Sequence, residues 1–336
     1  MLSVTLLCIT GILRVPGGSW RENVIDNITY DRSVQGHRRV ERRLAARVRA
    51  VAEAYALLAP SLVGFLLFLV APIFGVAALS LFDWNLMGAP SFVGLDNYRE
   101  LAADPEVWRA VLNTIYYVVL NIPAQTVLAL LLALALNRRI RGGKVLRVVF
   151  VLPWMAMPVA LGIIWSWVFD PRYGVVNQAL GMVGIDGPNW LTDPAWAMPV
   201  IASVNVWQYT GYTMLILLAG LQAIPHTLYE AAAIDGTTPM QRFFMITLPL
   251  LRPSLFFVLV TNTIGSFQIF DTVFVMTQGG PGGATDVLNF HIYQQGFQLF
   301  RSGYASALAM VLFALILLVT AAQFLYFRKR TVYDFS

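Results

Sequence analysis

The sequence predicts an all-α protein of six membrane-spanning helices, and three observations lead there. Of its 336 residues, 58% are hydrophobic and 12% charged, with a mean hydropathy of +0.66; a soluble domain carries about 25% charged residues. The apolar residues come in long unbroken stretches, and a bilayer core of roughly 30 Å needs about 20 of them per helix. Prolines lie inside those stretches (Pro60, Pro72, Pro123, Pro153 and Pro158). Soluble helices resist this, whereas membrane bundles tolerate it because neighbouring helices satisfy the freed backbone groups.

The stretches cover about 56–80, 111–136, 146–169, 197–220, 254–276 and 304–327. They define a transmembrane domain over 51–330, preceded by a basic segment, 1–50, and followed by a short tail, 331–336. Within the first segment, Met1 to Leu13 is apolar but too short to span, and it lacks the basic start of a signal peptide. Residues 1–31 are expected to be a poorly ordered tail or the product of a start assigned too far upstream. From His37 to Glu53 the chain carries Arg38, Arg39, Arg42, Arg43, Arg47 and Arg49, spaced to suit a helix lying on anionic lipid headgroups.

Orientation follows from the Lys and Arg flanking each stretch. One side holds Arg32, the six arginines above, Arg138, Arg139, Arg141, Lys144, Arg147, Arg242, Arg252, Arg328, Lys329 and Arg330. The other holds Arg99, Arg109, Arg172 and Arg301. Seventeen against four places both termini in the cytoplasm of a plasma or inner membrane. The same asymmetry accounts for the net charge of +5 without a nucleic-acid partner. Trp84, Trp108, Trp165, Trp167, Trp190 and Trp196 lie near the ends of the outside loops, as an aromatic belt requires.

Several chemistries are missing. Cys8 is the sole cysteine, so no internal disulfide or cysteine-based zinc site can form. His37, His226 and His291 are scattered, and no H-E-x-x-H occurs. There is no G-x-x-x-x-G-K-[ST] loop, because Gly279-Gly280-Pro281-Gly282-Gly283 lacks the lysine. No Gly-x-Ser-x-Gly elbow is present. The chain is therefore expected to be no enzyme, to hold no cofactor or metal, and to take energy from elsewhere.

One loop is too structured for an idle linker. Between the fourth and fifth stretches, about 221–252, Thr227 and Glu230 have the spacing of a capping box, and Gly236 suits a left-handed helix end. Thr238, Pro239 and Gln241 form a second helix start, and Pro249 is expected to stop that helix. Phe243, Phe244, Ile246 and Leu248 make the pair apolar, as a bent helix pair docking into a groove would be.

The run Glu230-Ala231-Ala232, three residues, Gly236, nine residues, Ile246, one residue, Leu248-Pro249 resembles the EAA motif of ABC-importer permeases. Phe92-Val93-Gly94-Leu95-Asp96-Asn97-Tyr98 and Thr277-Gln278-Gly279-Gly280-Pro281 with Thr285 resemble the sugar-type, maltose- and glycerol-3-phosphate-permease-like branch. The resemblance covers about 50–336, without the additional N-terminal spans of the maltose permease. It implies a type I importer permease fold and a loop that inserts into a cytoplasmic ATPase. Glu230, Ala231, Ala232, Asp235, Gly236, Ile246, Leu248 and Pro249 would then be the coupling residues. The partners it implies are a second homologous permease, an ABC ATPase dimer that binds the ATP and Mg, and an extracytoplasmic solute-binding protein.

Polar side chains inside a span are functional candidates by default. Asn205, Gln208, Tyr209 and Tyr212 share one helical face of the fourth stretch, and Asn262 and Ser266 are one turn apart in the fifth. Together they offer the hydrogen-bond partners and aromatic surface that a sugar needs; the resemblance places sugar contacts at these same positions. Interhelical hydrogen bonding accounts for them equally well. Asp271, acidic and inside a span, suits the proton relay of a secondary carrier working without an ATPase. Its place near the outer end reads more simply as an interfacial residue. A membrane enzyme would need clustered acids or histidines at one interface, and a non-carbohydrate cargo would leave the loop unchanged.

Overall fold

The structure is a computed structural model that describes Glu53, residues 55–138 and residues 141–328. The basic N-terminal segment and the tail 331–336 lie outside the described residues. The chain divides into two compact units, Met1–Pro72 and Ile73–Ser336. Residues 55–72 of the first belong to helix α1 (Tyr55–Leu79), which contains a wide π turn at Leu66–Val70. Its apolar side chains, such as Leu57, Phe65 and Phe68, are exposed, as lipid-facing residues are.

The second unit opens with a two-stranded antiparallel hairpin, β1 (Phe82–Asp83) and β2 (Ser91–Phe92), with Phe82 opposite Phe92. Helix α2 (Asp96–Ala103) sends the Asn97 amide back to the Ser80 and Phe82 carbonyls at 2.8 and 3.0 Å. The bond satisfies backbone groups where the chain leaves the span. Helix α3 (Pro105–Leu136) starts where Asp104 accepts from the Glu106 amide, with Pro105 in the first turn, the position proline tolerates best.

Helix α3 buries Ala110, Thr114, Tyr117, Asn121, Gln125, Ala129 and Ala133 and leaves Leu112, Val119, Val127 and Leu131 exposed. One stripe thus faces protein and the rest faces lipid. The expected second span was shorter because charges at Glu106 and Arg109 obscure the first two turns.

The expected third span is not one helix. Helices α4 (Gly143–Met155) and α5 (Pro158–Val168) meet at a bend of 96°. Met157, extended at ψ 122°, precedes Pro158, and a residue before proline is pushed out of the helical region. A short helix α6 (Val175–Met182) crosses the next loop before α7 (Pro194–Gln222), the central helix. A Cβ on Gly211 of α7 would lie 1.8 Å from the Phe150 carbonyl oxygen. Only glycine lets α4 approach so closely, the small-residue logic of membrane helix contacts.

Helix α8 (His226–Ile234) follows a 65° bend, and α9 (Pro239–Arg242) continues through a π turn, Phe243–Thr247, into Leu248–Leu250. The fifth span, Arg252–Met276, is α10 (Arg252–Phe267) and α11 (Asp271–Met276) with a break between them. Helix α12 (Leu288–Tyr293) lies in the loop before the last span, and α13 (Ser302–Arg328) closes the bundle. Among the described residues, four helices are long and apolar enough to span, and six spans result when each bent pair is one. Trp165, Phe169, Trp190, Trp196 and Trp207 form a run of ring contacts 5.2–5.9 Å apart across α5, the following loop and α7.

At the first turns of α3 and α13, the Tyr304 hydroxyl donates to Asp104 at 2.7 Å and Arg301 pairs with Glu100. Burial pushes the Asp104 carboxyl up, but hydrogen bonds from Tyr304 and the Glu106 and Val107 amides outweigh it and hold the group below its ordinary value.

Candidate functional site

Two polar amides in α3 organise the interior. Asn121 and Gln125 are one turn apart and 4% and 3% exposed. Asn121 Nδ2 donates to Gln125 Oε1 at 3.2 Å and to Ser266 Oγ at 3.0 Å. Gln125 Nε2 donates to Thr213 Oγ1 at 2.8 Å and to Asn262 Oδ1 at 3.2 Å. On the other side of α7, Asn205 Nδ2 donates to Thr272 Oγ1 at 3.2 Å. Helices α3, α7, α10 and α11 are therefore joined by side-chain amides and hydroxyls in a region otherwise built from apolar residues. Interhelical bonds of this kind contribute on the order of 0.6 kcal/mol each in membrane proteins.

These helices enclose a cavity of about 340 Å³. Asn205, Tyr209 and Tyr212 of α7 line it, as do Asn262 and Ser266 of α10. Gln208 does not: it is 1% exposed, outside the lining, and its Nε2 has no hydrogen-bond partner among the described residues. Residues 205, 209 and 212 form a narrower stripe than the four-residue face expected, and Gln208 falls into the packed side of the helix.

Sequence reasoning missed Tyr117, Asn121 and Gln125 on α3, and Trp154 on α4, all of which also line the cavity. Two amides one turn apart in an apolar stretch were a legible signal for the α3 pair. Trp154 stacks on Tyr212 with ring centroids 4.7 Å apart and planes at 17°. That presents a flat aromatic surface at the cavity wall.

The break in the fifth span lies at the cavity. Gln268, Ile269 and Phe270 line it and lack regular helical geometry, with Phe270 at φ −145° and ψ −58°. Unwound backbone at membrane depth is tolerated where it lines a cavity. Asn289 of α12 donates to the Gln268 carbonyl at 2.9 Å, so a side chain takes over from the missing helical turn. Asp271, just past the break, also lines the cavity; the sequence had placed it as a plain interfacial residue near the outer end of the span.

The loop after α7 is a second, different site. Gly236 has φ +70°, the left-handed conformation glycine adopts without a Cβ penalty. Thr238 and Gln241 form a complete capping box. Two local expectations change. No side chain caps α8, which begins after Pro225, and Glu230 instead faces His226 Nδ1 at 3.3 Å on an exposed surface.

Nor does Pro249 end the second helix. The Leu248 amide reaches back five residues to the Phe243 carbonyl, and this widened turn makes room for the proline ring; the break comes at Leu251.

The hairpin is fastened to itself. Tyr229 and Thr247 hydroxyls lie 3.0 Å apart, and Arg242 donates to the Thr237 carbonyl at 2.8 Å. Of the motif residues, Glu230, Ala231, Asp235 and Gly236 are exposed, Ala232 is buried, and Ile246, Leu248 and Pro249 are half-buried. Ile234, Met240, Phe244 and Met245 are also exposed. The exposed part of the hairpin is thus largely apolar, with no partner among the described residues.

A polar cavity inside a bundle of apolar helices, with an irregular span at its wall, defines a membrane transport component. Residues 125–332 match the family described as "Binding-protein-dependent transport system inner membrane component", and the chain belongs to that family. This makes it a transport permease rather than an enzyme.

It is 39% identical over 268 residues to the sulfoquinovosyl glycerol transport system permease protein SmoG of Agrobacterium fabrum, covering 79% of this chain and 87% of that one. To the trehalose/maltose transport system permease protein MalF of Thermococcus litoralis it is 37% identical over 270 residues, covering 79% and 90%. A chain from the crystal structure of a bacterial ABC transporter involved in the import of the acidic polysaccharide alginate superposes with a TM-score of 0.76. That match has 26% identity and covers 86% of this chain and 100% of that one.

Proposed function

We propose that this chain is one permease half of an ATP-driven importer for a sugar or a related polyol or glycerol phosphate. A homologous permease completes the pathway, an ABC ATPase dimer docks on the loop around Glu230, and an extracytoplasmic binding protein delivers solute. Both termini are cytoplasmic. ATP binding closes the ATPases, draws the coupling loops together and opens the cavity outward; hydrolysis resets it and releases solute inside. Glu230, Ala231, Ala232, Asp235, Gly236, Ile246, Leu248 and Pro249 are assigned to the ATPase contact. Asn205, Gln208, Tyr209, Tyr212, Asn262 and Ser266 are assigned to the solute path, Gln208 from behind the wall.

The observation that carries this reading is the bent hairpin at residues 225–251, braced internally yet exposing Ile234, Met240, Phe244 and Met245. Apolar side chains on a self-supported knob outside the spans fit a groove on another protein. A solute path is supported by the neutral amides, hydroxyls and aromatic rings that converge on the cavity. Sugar or polyol cargo is supported by the relatives named above.

Gentle detergent extraction of the tagged chain from its own membranes, with mass spectrometry of what co-purifies, tests the assembly. A P-loop ATPase and a second six-span permease are the expected companions. Recovery of the chain alone, under conditions that preserve a control importer, would favour a stand-alone carrier.

A further inference from the structure

Helix α12 is tied both to α3 and to the break in the fifth span. The Leu288 amide donates to Thr114 Oγ1 at 2.8 Å, and Asn113 donates to the Gly283 and Asp286 carbonyls at 2.8 and 3.0 Å. Asn289 holds the Gln268 carbonyl, and the buried Phe290 ring lies 6.2 Å from that of Phe270. The next residue, His291, is 2% exposed. Its Nδ1 is 2.9 Å from Asp286 Oδ2, and its Nε2 is 3.4 Å from Gln295 Nε2. A titratable ring therefore follows directly on the two residues that touch the cavity wall.

Each charge state of this ring leaves a different group unsatisfied. In the neutral ring, Nδ1–H donates to Asp286 and Nε2 accepts from the Gln295 amide. Asp286 is then a largely buried carboxylate without a cation, and its Oδ1 has no hydrogen-bond partner among the described residues. Such a charge is costly to bury. A proton taken up at Nε2 turns the contact into an ion pair, but the new N–H then meets the donor end of Gln295. Gln295 Oε1, also buried and without a partner, accepts from it once that amide turns over. The Gln295 carbonyl accepts from the Arg301 amide at 2.8 Å, just before α13, so the rearrangement falls at the joint between α12 and the last span.

The other charged or titratable groups at the near ends of α3 and α13 are Asp104, Glu106, Arg109, Arg301 and Tyr304. Asp104 is bonded to Tyr304 and Arg301 to Glu100, while Glu106 and Arg109 are exposed. Tyr117 and Tyr293 pack in the apolar cluster with Phe290. Within the buried cluster, Asp286 has His291 alone to answer its charge.

We propose that His291 is a proton-sensitive positioning residue: its charge sets how α12 holds the Gln268–Phe270 break, and with it the rate of solute uptake. This regulation rests on the importer reading above, which puts the loop before the last span outside the cell and in contact with external pH. Imidazole changes charge between about pH 5 and 8. A buried cluster with two hydrogen-bond arrangements is a two-state element that a proton can bias. The path to the cavity is short, since Asn289 and Phe290 touch Gln268 and Phe270, both of which line it.

Hydrogen–deuterium exchange reads the strut without any solute. The full chain, with whatever co-purifies, is held in phosphatidylcholine nanodiscs at about pH 5.5 and about pH 7.5, either side of the imidazole range. Exchange times are rescaled for the intrinsic pH dependence. Protection of residues 264–276 and 288–300 should be stronger by roughly three-fold at acid pH, where the ion pair forms. Residues 197–220 of α7, which carry no charged side chain and no histidine, should not change. His291→Gln should abolish the difference, and Asp286→Asn should shrink it, which decides the matter if His291→Gln fails to reach the membrane. No difference in the unsubstituted chain, one of opposite sign, or one that survives both substitutions would overturn the proposal.

Uptake tests the functional half. Cells of the native host receive, in labelled form, the compound that they deplete and a strain lacking this chain does not. The uptake rate should change by roughly three-fold between the same two external pH values, and His291→Gln should flatten that profile at equal membrane levels. Identical profiles would overturn the regulation and leave the importer reading standing. If no compound is depleted in a chain-dependent way, the importer reading falls, and the uptake half of the proposal with it.

Discussion

The cavity wall and the bent hairpin at residues 225–251 use polar side chains in opposite ways. In the wall and just behind it, Asn121, Gln125, Thr213, Asn262 and Ser266 bond mainly to one another and across helices, because bilayer interior offers no water to take their place. In the hairpin, Thr238, Gln241 and Arg242 bond to backbone a few residues away, and apolar side chains are left facing outward. One region holds several helices in register around a space; the other keeps its own shape and leaves its surface free.

Four tests can break or sharpen that contrast. The largest effect is expected at the hairpin, where Gly236→Pro or Glu230→Lys should abolish solute uptake while membrane insertion stays intact. Proline cannot adopt the φ of +70° at position 236, and Glu230 is too exposed for its loss to unfold the protein. Normal uptake by both variants in a transport assay would end the coupling assignment.

Next in size is Gly211→Ala, which places a methyl against the Phe150 carbonyl and should cost about 3 kcal/mol, read as a fall in the melting midpoint in detergent. Gln125→Leu should cost on the order of 1–2 kcal/mol by leaving Thr213 and Asn262 without their donor. Its effect on melting should shrink when Asn262→Leu is already present, as coupled neighbours require. The smallest change belongs to Thr238→Ala, about 1 kcal/mol from the lost cap. It should appear as faster amide exchange confined to the hairpin, with the cavity helices unaffected.

The spans were legible because apolar length is the strongest signal in such a sequence, and the runs at 197–220 and 304–327 fall inside single helices. The third run, 146–169, is bent by 96° because Pro158 pushes Met157 out of the helical region, a constraint that apolar length does not report. Capping at Thr238 was readable from Thr, Pro and Gln alone, since every partner lies within three residues. The same rule failed at Thr227, where Pro225 precedes the helix and Glu230 has His226 within reach.

At the cavity, Asn205, Tyr209, Tyr212, Asn262 and Ser266 could be grouped by helical spacing. Gln125 and Asn121 are bound to Asn262 and Ser266 only through contacts between helices, 137 and 145 residues apart in sequence. No local pattern reports such distances.

The interruption at Gln268–Phe270 has a consequence for how this wall is inherited. The chain leaves the helix there, and a backbone path carries no residue identity. Alanine scanning there would remove the Gln268 amide and the Phe270 ring contacts but keep every peptide group in place. Two permeases with different residues at 268–270 could keep the same backbone path. Chain cleavage, ester replacement of a single peptide bond, or an inserted residue would be needed to reach that part of the wall.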